Sequence, residues 1–488
     1  MGMSIKTRIA KATKKQWIKM SVMDILCILF VIWSGYYLLL LLILLFFDSH
    51  ITKYIPWAGW KKKKNPVVEW IDAILFALVA VYFINTFFFQ NYQIPSSSLE
   101  KSLLVGDFLC VSKVSYGARS PMTPFSFPLV QHTFPFFNIK SYLEKPQMDY
   151  KRLAGLGTVK RNDIVVFNFP AGDTVATNIQ ERDYYSLCLE DPAGRSGVWL
   201  NKETYGDIVY RPVDRRENYV KRCVGLPGET ISLRNDTTFI NGQPIADPEN
   251  IQHMYVVQTN GTLLSPAVFD ELGVSNDDRA IVGYENISNA DSTIIAQIGL
   301  NWNDGKDCII YERVFLTKDM VEKLKSKPFV LTVKKLNDYY KSWAGIANAN
   351  NLHVVYPVDY SREVERGDFP SLWIPKRGET ITFDSDVDYK VAVYSRCIKN
   401  YEHNDFDYRD GKVYINGKVA DSYTFNYDYY FMMGDNRDNS ADSRVWGFVP
   451  EDHVVGQPLF IWLSLDKDKG LFGGKIRWDR LFTSAKKQ

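Results

Sequence analysis

The sequence predicts a mainly β protein in which N-terminal transmembrane helices precede an antiparallel β domain that carries a large α+β insert. Two observations support this prediction. Two apolar runs occupy half of the first 90 residues, and they are long enough to cross a bilayer core of about 30 Å. Beyond Gln90 the pattern changes to short alternating or β-branched runs separated by turn residues, which is typical of antiparallel strands.

Length, composition and charge narrow the class of protein. The chain has 488 residues, of which 46% are hydrophobic, so it can bury the cores of several domains. Its 58 basic and 56 acidic residues nearly balance, which argues against a nucleic-acid partner. The six cysteines include no C-x-x-C pair, and we expect neither a metal nor another cofactor.

The first apolar run predicts a membrane anchor. Residues 1–22 form a basic segment, and residues 23–47 form an apolar run whose one charge is Asp24, so we expect a transmembrane helix over 23–47. A cleaved signal peptide is the alternative. The run is longer than an ordinary signal-peptide core and no small-x-small site ends it, so the anchor is favoured.

A second transmembrane helix is expected over residues 70–89, after a polar loop at 48–69 that contains Lys61–Lys64. The charges conflict with this arrangement. Positively charged segments favour the cytoplasmic side, yet two crossings place the N-terminus and the lysine loop on opposite sides. Either the basic N-terminus faces outward or the first run does not cross fully, and we favour two crossings.

The β region divides into residues 90–244 and 378–465, with a C-terminal tail at 466–488. An internal echo supports the division: a Gly-Glu-Thr-Ile strand followed by a strand ending in Asn-Gly occurs at 228–242 and again at 378–417. Local duplication and common hairpin chemistry both explain it. Between the two parts, residues 245–377 are polar and form the expected insert, with a helix over Lys318–Ser326 that Thr317 caps.

Two aromatic segments admit two interpretations each. Residues 121–137 carry five phenylalanines among prolines, close in sequence to the membrane exit. These rings lie either on the bilayer surface or in a buried loop. Residues 476–482 of the tail mix apolar and basic side chains and admit the same two interpretations.

Three stretches carry residues suited to chemistry. Residues 94–99 (Ile-Pro-Ser-Ser-Ser-Leu) present hydroxyl groups directly after a membrane span, and residues 219–228 place Lys221 in an apolar strand before a Pro-Gly turn. A buried lysine is driven towards its neutral form, in which it is a base. Residues 434–447 form a long polar segment, but an EF-hand loop counted from Asp438 has Ser443 and Val449 at essential positions, which excludes calcium.

These stretches resemble the bacterial type I signal peptidases, membrane-anchored serine proteases with a Ser-Lys dyad. The resemblance covers nearly all of residues 70–465 apart from the insert. Leu99 stands where the family usually has Met, and Lys101-Ser102 where it has Pro-Thr. The matching segments are the serine stretch, Gly106-Asp107, Val111-x-Lys113-x-x-Tyr116-Gly117, Asp163–Phe167 with Pro170, the lysine stretch and Gly434–Gly447.

The resemblance implies a role for each matching residue. Ser98 is the expected nucleophile and Lys221 the general base. Ser96 and the backbone N–H of Ser98 are the expected oxyanion donors, and Ser440 is expected to orient the lysine. The other implied residues, which form charge pairs or pack near the lysine, are Asp442, Arg444, Asp435, Arg222 and Tyr219.

The resemblance therefore implies a membrane-bound endopeptidase that removes N-terminal signal peptides from exported preproteins after small residues. Its catalytic β domain is expected on the outer face of the bacterial cytoplasmic membrane, with the lipid bilayer and preproteins as partners. A same-dyad peptidase dedicated to one cargo and a catalytically inactive membrane scaffold are the alternatives. A histidine-based triad is disfavoured because none of the six histidines lies in the three stretches.

Overall fold

The computed structural model describes most of the chain. The described residues are 5–55, 66–134, 139–180, 182–286, 299–300, 308–335, 355–357, 367–368, 370–470 and 472–486. The lysine loop at 61–64, two phenylalanines at 136–137 and much of the insert lie outside these residues. The mainly β fold with antiparallel sheets behind N-terminal apolar helices is confirmed.

The N-terminal region is helical, and two of its helices are long and apolar enough to cross a membrane. The expected single helix over 23–47 is instead interrupted at Gly35, which adopts a left-handed backbone (φ +69°) that favours glycine. The long helices are α2 and α4. The described elements are α1 (Ile5–Lys11), α2 (Lys14–Ser34), a 3₁₀ turn (Tyr37–Leu40), α3 (Leu41–Phe47), a π turn (Asp48–Thr52) and α4 (Pro66–Phe87).

A seven-stranded antiparallel sheet forms the centre of the molecule. Register pairs Val165 with Lys221 and Met433 with Arg222, so the lysine strand lies inside the sheet. In sheet order the strands are β1 (Phe89–Gln93), β2 (Asp107–Ser112), β22 (Val454–Ser464), β3 (Ile164–Asn168), β6 (Asn218–Gly225), β20 (Tyr429–Met433) and β21 (Val449–Pro450).

Both faces of this sheet are covered, which explains why β3 is buried along its whole length. Val165 and Phe167 pack on one face with Trp446, while Ile164 and Val166 pack on the other. The second face also buries the two ends of the serine stretch and apolar residues that follow it. That cluster contains Ile94, Leu99, Leu103, Leu109 and Val111.

Smaller sheets surround the centre, and the two echoed segments pair differently. The first copy forms the hairpin β7–β8, whereas the strands of the second copy, β15 and β17, pair with other strands. Both Asn-Gly turns have positive φ. These strands are β7 (Thr230–Arg234), β8 (Thr237–Ile240), β9 (Gln243–Pro244), β14 (Leu372–Trp373), β15 (Thr380–Thr382), β16 (Phe406–Arg409), β17 (Lys412–Ile415), β18 (Lys418–Val419) and β19 (Ser422–Thr424).

The insert is an α+β unit, and its predicted helix is present at Lys318–Lys325 with Thr317 as N-cap. Its antiparallel sheet has the order β11-β12-β10-β13. Its elements are β10 (His253–Thr259), α8 (Pro266–Leu272), α9 (Asn276–Ala280), β11 (Gly283–Asn286), β12 (Ile309–Leu316), α10 (Lys318–Lys325) and β13 (Val330–Lys335).

The remaining helices and strands lie outside the insert. They are β4 (Thr174–Ala176), α5 (Tyr184–Glu190), α6 (Gly194–Leu200), α7 (Lys202–Tyr205), β5 (Ile208–Tyr210), α11 (Val387–Arg396) and α12 (Ser443–Trp446).

The aromatic segment near the membrane exit contacts α4. Tyr82 donates a hydrogen bond to the Pro124 carbonyl at 2.9 Å, and Phe125 and Phe127 are exposed. In the tail, Trp478 and Phe482 are also exposed. Rings exposed beside a membrane helix favour the bilayer-surface interpretation for the first segment.

Two loops that support the sheet approach each other closely at Gly155, where an added Cβ would overlap the backbone of Tyr116 and Gly117. We expect Gly155→Ala to destabilise the protein by about 1–3 kcal/mol, because the backbone must move to admit a methyl group. Thermal unfolding in detergent measures this. Gly157→Ala is the matched control, since a Cβ added there would lie 4.0 Å from the Ser115 carbonyl oxygen, an ordinary contact distance. An equal melting temperature for both variants would contradict the prediction.

Candidate active site

The serine stretch is fixed at both ends by the sheet. β1 ends at Gln93, and the Ile94 N–H donates to the Asp107 carbonyl at 2.9 Å. Ser97–Leu99 then form one 3₁₀ turn. Because Ile94 and Leu99 are both buried in the core, the turn between them is held in place and Ser98 is itself buried.

Lys221 lies on β6 with its amine directed at this turn. Its Nζ is 2.5 Å from Ser98 Oγ, and the side chain is 3% exposed. The Tyr219 ring centroid lies 5.9 Å from the amine, and that ring stacks on Phe169 at 4.6 Å. The predicted nucleophile and base are thus brought into hydrogen-bond distance in surroundings with little water.

Burial determines the charge state of the lysine. Removal from water disfavours the ammonium and lowers the pKa of Lys221 to about 8, against the opposing attraction of Asp442 and Asp435. A larger fraction of the amine is therefore neutral near neutral pH than for a lysine in water. A neutral amine accepts a proton from a hydroxyl group, whereas an ammonium cannot.

The segment 434–447 follows β20 and packs directly on the serine turn. The Asn436 N–H donates to the Ser98 carbonyl at 3.1 Å. A Cβ on Gly434 would lie 2.7 Å from that carbonyl oxygen and would overlap the Ser440 side chain. Only glycine therefore allows this close approach between the two stretches.

Two buried ion pairs hold this segment. Arg222 binds Asp435 through two hydrogen bonds of 2.7 and 2.6 Å, and Ser102 donates to the same carboxylate at 2.5 Å. Arg444 binds Asp442 at 2.7 Å. Burial alone would raise the pKa of Asp442, but the Arg444 guanidinium holds it at about 2. Asp442 is therefore charged and paired, as a buried charge requires, and Asp435 has a guanidinium partner of its own.

The other two predicted serines, Ser96 and Ser440, also lie in the site, but their hydrogen-bond distances are longer. Ser96 Oγ is 3.5 Å from Ser98 Oγ, and Ser96 is exposed. The hydrogen bond described for Ser440 Oγ is to the Ala441 carbonyl at 3.5 Å, rather than to the lysine. Ser97 is turned away from Lys221 towards Asn439, whose Nδ2 donates to Ser97 Oγ at 3.2 Å.

Sequence reasoning missed the contribution of the insert. Gln252 of the insert exchanges backbone hydrogen bonds with the catalytic segment: its N–H donates to Asp435 at 2.9 Å and its carbonyl accepts from Arg437 at 3.0 Å. Asp278 on α9 is buried and lies 3.4 Å from Asn436 Nδ2 and 3.5 Å from Asn439 Nδ2. No motif marks these residues, because they meet only through the fold.

A polar cavity of 640 Å³ extends from the C-terminal part of α4 along β1 to β3 and β6. Its lining includes Gln93, Asn168 and Asn218. Lys113 also lines it, and burial lowers the pKa of Lys113 to about 7. β1 is the terminal strand of the central sheet, and four of its residues, Gln90–Gln93, line this cavity.

Among the described residues, no group of three or more His, Cys, Asp or Glu side chains is arranged to hold a metal ion. All six cysteines are free thiols. The site offers a hydroxyl, an amine and backbone donors. This set is suited to acyl transfer through a serine nucleophile.

Comparison with known proteins agrees with this chemistry. The family described as "Signal peptidase, peptidase S26" matches residues 67–293 and 422–463. Signal peptidase I of Buchnera aphidicola subsp. Baizongia pistaciae is 24% identical over 436 residues, 89% of each chain. Signal peptidase I of Haemophilus influenzae is 23% identical over 432 residues, 87% of this chain and 79% of that protein. Signal peptidase I P of Bacillus subtilis subsp. natto is 24% identical over 269 residues, 54% of this chain and 97% of that protein.

If the neutral amine of Lys221 activates Ser98, kcat/KM for a peptide substrate should rise with pH through about 8 and level off above it. kcat/KM rises with pH because the ammonium form, which cannot accept a proton, dominates at lower pH. A pH profile of initial rates measures this. Lys113→Met removes another lysine whose pKa burial lowers, to about 7, and should leave the midpoint unchanged; a rise that disappears in Lys113→Met would contradict the assignment.

Proposed function

This chain belongs to the signal peptidase family S26, and we propose that it cleaves signal peptides with Ser98 as nucleophile and Lys221 as general base. The family makes it a serine peptidase that acts on preproteins carrying signal peptides. The observation that carries the dyad is the 2.5 Å contact between Lys221 Nζ and Ser98 Oγ in a buried site.

In the proposed first step, the neutral Lys221 amine takes the Ser98 proton as Oγ attacks the carbonyl carbon of the scissile peptide bond. The resulting ammonium then gives that proton to the leaving amine as the C–N bond breaks, which leaves the acyl group on Ser98. Water attacks the acyl-enzyme next, with Lys221 again taking a proton. The ammonium returns that proton to Ser98 Oγ as the ester C–O bond breaks, which restores the free serine and the neutral amine and releases the new C-terminal carboxyl group.

The oxyanion of the tetrahedral intermediate needs hydrogen-bond donors. We assign these to the backbone N–H of Ser98 and the hydroxyl of Ser96, whose Oγ is 3.5 Å from Ser98 Oγ. Loss of one such donor typically lowers turnover by about 10²–10³-fold. Ser440 lies against Gly434, where an added Cβ would overlap its side chain, and its hydroxyl donates a hydrogen bond to the Ala441 carbonyl.

Membrane attachment would bring enzyme and substrate together. α2 and α4 are apolar enough to span a bilayer, and β1 begins two residues after α4 ends. A signal peptide has its own apolar segment, so its cleavage site would lie at the same depth as Ser98. We propose that the catalytic domain lies on the outer face of the bacterial cytoplasmic membrane and cuts after small residues.

For the division of the chain, we propose that residues 90–244 and 378–465 together form the catalytic domain and that 245–377 is an accessory insert. The contacts of Gln252 and Asp278 with residues 435–439 support a bracing role for the insert. A peptidase dedicated to one cargo would retain the same dyad. A scaffold without activity would not require the buried lysine.

We expect Ser98→Ala and Lys221→Arg each to abolish cleavage of a generic preprotein in detergent. The first variant lacks the nucleophile, and the guanidinium of the second stays charged and cannot act as a base. The assay reads the N-terminal sequence of the product, which should begin directly after a small residue.

Ser97→Ala is the matched control, because Ser97 lies in the same turn but contacts Asn439 instead of Lys221, and it should keep most of the activity. An inactive Ser97→Ala with an active Ser98→Ala would show that the nucleophile is Ser97. Cleavage by Lys221→Arg would contradict the neutral-base mechanism. Failure of the wild-type protein on generic preproteins, with cleavage of one cargo only, would favour the dedicated peptidase.

A further inference from the structure

The break at Gly35 folds the first apolar run back on itself. The segments on either side, α2 and residues 37–52, lie next to each other and run in opposite directions. Two contacts define this antiparallel pairing: Cys27 Sγ with the Leu39 carbonyl at 3.5 Å, and Trp17 with Phe47 at 6.3 Å between ring centroids. Arg8 of the preceding α1 extends it, with Nη1 3.0 Å from the Thr52 carbonyl.

The turn of this hairpin is attached to the β domain. Lys151 Nζ donates to the Ser34 carbonyl at 2.9 Å and lies 5.0 Å from the centroid of the Tyr36 ring. Two further hydrogen bonds reach the same loops, from Trp33 Nε1 to the Ala154 carbonyl at 2.8 Å and from Tyr36 Oη to Ser120 Oγ at 2.5 Å. The turn therefore lies on the side of the membrane that holds the β domain.

The C-terminal ends of α2 and α4 meet at this same side. Phe30 of α2 lies 5.0 Å from Phe83 and 5.2 Å from Phe87 of α4, between ring centroids. With 21 and 22 residues, the helices are each about 32 Å long, enough to cross the bilayer core. Their N-terminal ends must then both emerge on the face opposite the β domain.

The returning segment of the hairpin exposes apolar side chains, whereas the open end carries basic ones, as a position across a bilayer requires. Leu38, Leu41 and Leu44 of the returning segment are 79%, 60% and 67% exposed, which suits contact with lipid chains. Basic residues collect at the open end, where Arg8 also contacts the carbonyl of Lys53 at 2.6 Å. The basic residues of this end are Lys6, Arg8, Lys11, Lys14, Lys15, Lys19 and Lys53.

We propose that residues 14–52 form a membrane-inserted hairpin whose open, basic end binds the anionic lipid headgroups of the leaflet opposite the β domain. The N-terminus and Lys53 then share one side, which satisfies the preference of basic segments for the cytoplasmic face. The returning segment of 16 residues is about 24 Å long, and local thinning of the bilayer accommodates such a mismatch.

This inference rests on the membrane attachment in the proposed function, but not on the dyad. Its test is labelling of single added cysteines in spheroplasts with a membrane-impermeant maleimide, using Lys15→Cys, Lys53→Cys and Lys469→Cys. Wild type gives the background, since its own cysteines are buried or partly buried. Lys469 lies on the exposed C-terminal tail and reports the side of the β domain.

We expect Lys15→Cys and Lys53→Cys to show no labelling above the wild-type background until the bilayer is permeabilised, and Lys469→Cys to be labelled throughout. Labelling of Lys15→Cys but not Lys53→Cys before permeabilisation would overturn the hairpin in favour of two simple crossings. Labelling of all three in intact spheroplasts would overturn it and also show that the anchor does not cross. Peptidase activity of each variant confirms folding, so a failed dyad and a failed hairpin give different results.

Discussion

The structure depends on one constraint, the burial of the Lys221 amine beside the Ser98 hydroxyl. A lysine in water has a pKa of about 10.4, and lowering it to about 8 corresponds to about 3 kcal/mol of disfavoured ammonium. The fold tolerates this cost because Lys221 lies on β6, inside the central sheet, where Val165 of β3 is its register partner. A lysine on a surface loop would remain an ammonium and would be mobile, so it could not act as a base.

The charged neighbours make this burial sustainable. Arg222 pairs with Asp435 and Arg444 pairs with Asp442, so each of these buried groups has a partner of opposite sign. Removing one partner would leave an unpaired buried charge, which is far more costly than losing a surface ion pair. The insert adds a second layer behind this wall through Gln252, whose backbone is bonded to the same segment.

The sequence alone predicts the fold class. It also predicts that Ser98, Lys221 and residues 434–447 belong to one site, because each lies in a local motif that is recognisable without the structure. It placed the first membrane helix at 23–47, because hydropathy responds to apolar length and not to the left-handed turn at Gly35. The role of Asp278 could not be predicted from the sequence, because its contacts with Asn436 and Asn439 join segments about 160 residues apart. Ser440 was expected at the lysine, but its described hydrogen bond is local, a detail of side-chain rotation that no motif encodes.

The central claim is that burial raises the neutral fraction of the Lys221 amine far enough for it to act as the base, and its most direct test is the titration of that amine itself. The measurement is NMR of the protein labelled with ¹⁵N at lysine Nζ, in which the Lys221→Arg variant identifies the signal. Our account predicts a midpoint near 8, in agreement with the effect of burial on the pKa of Lys221. A midpoint near the ordinary lysine value of about 10.4 would contradict it, because the amine would then be an ammonium when Ser98 must lose its proton.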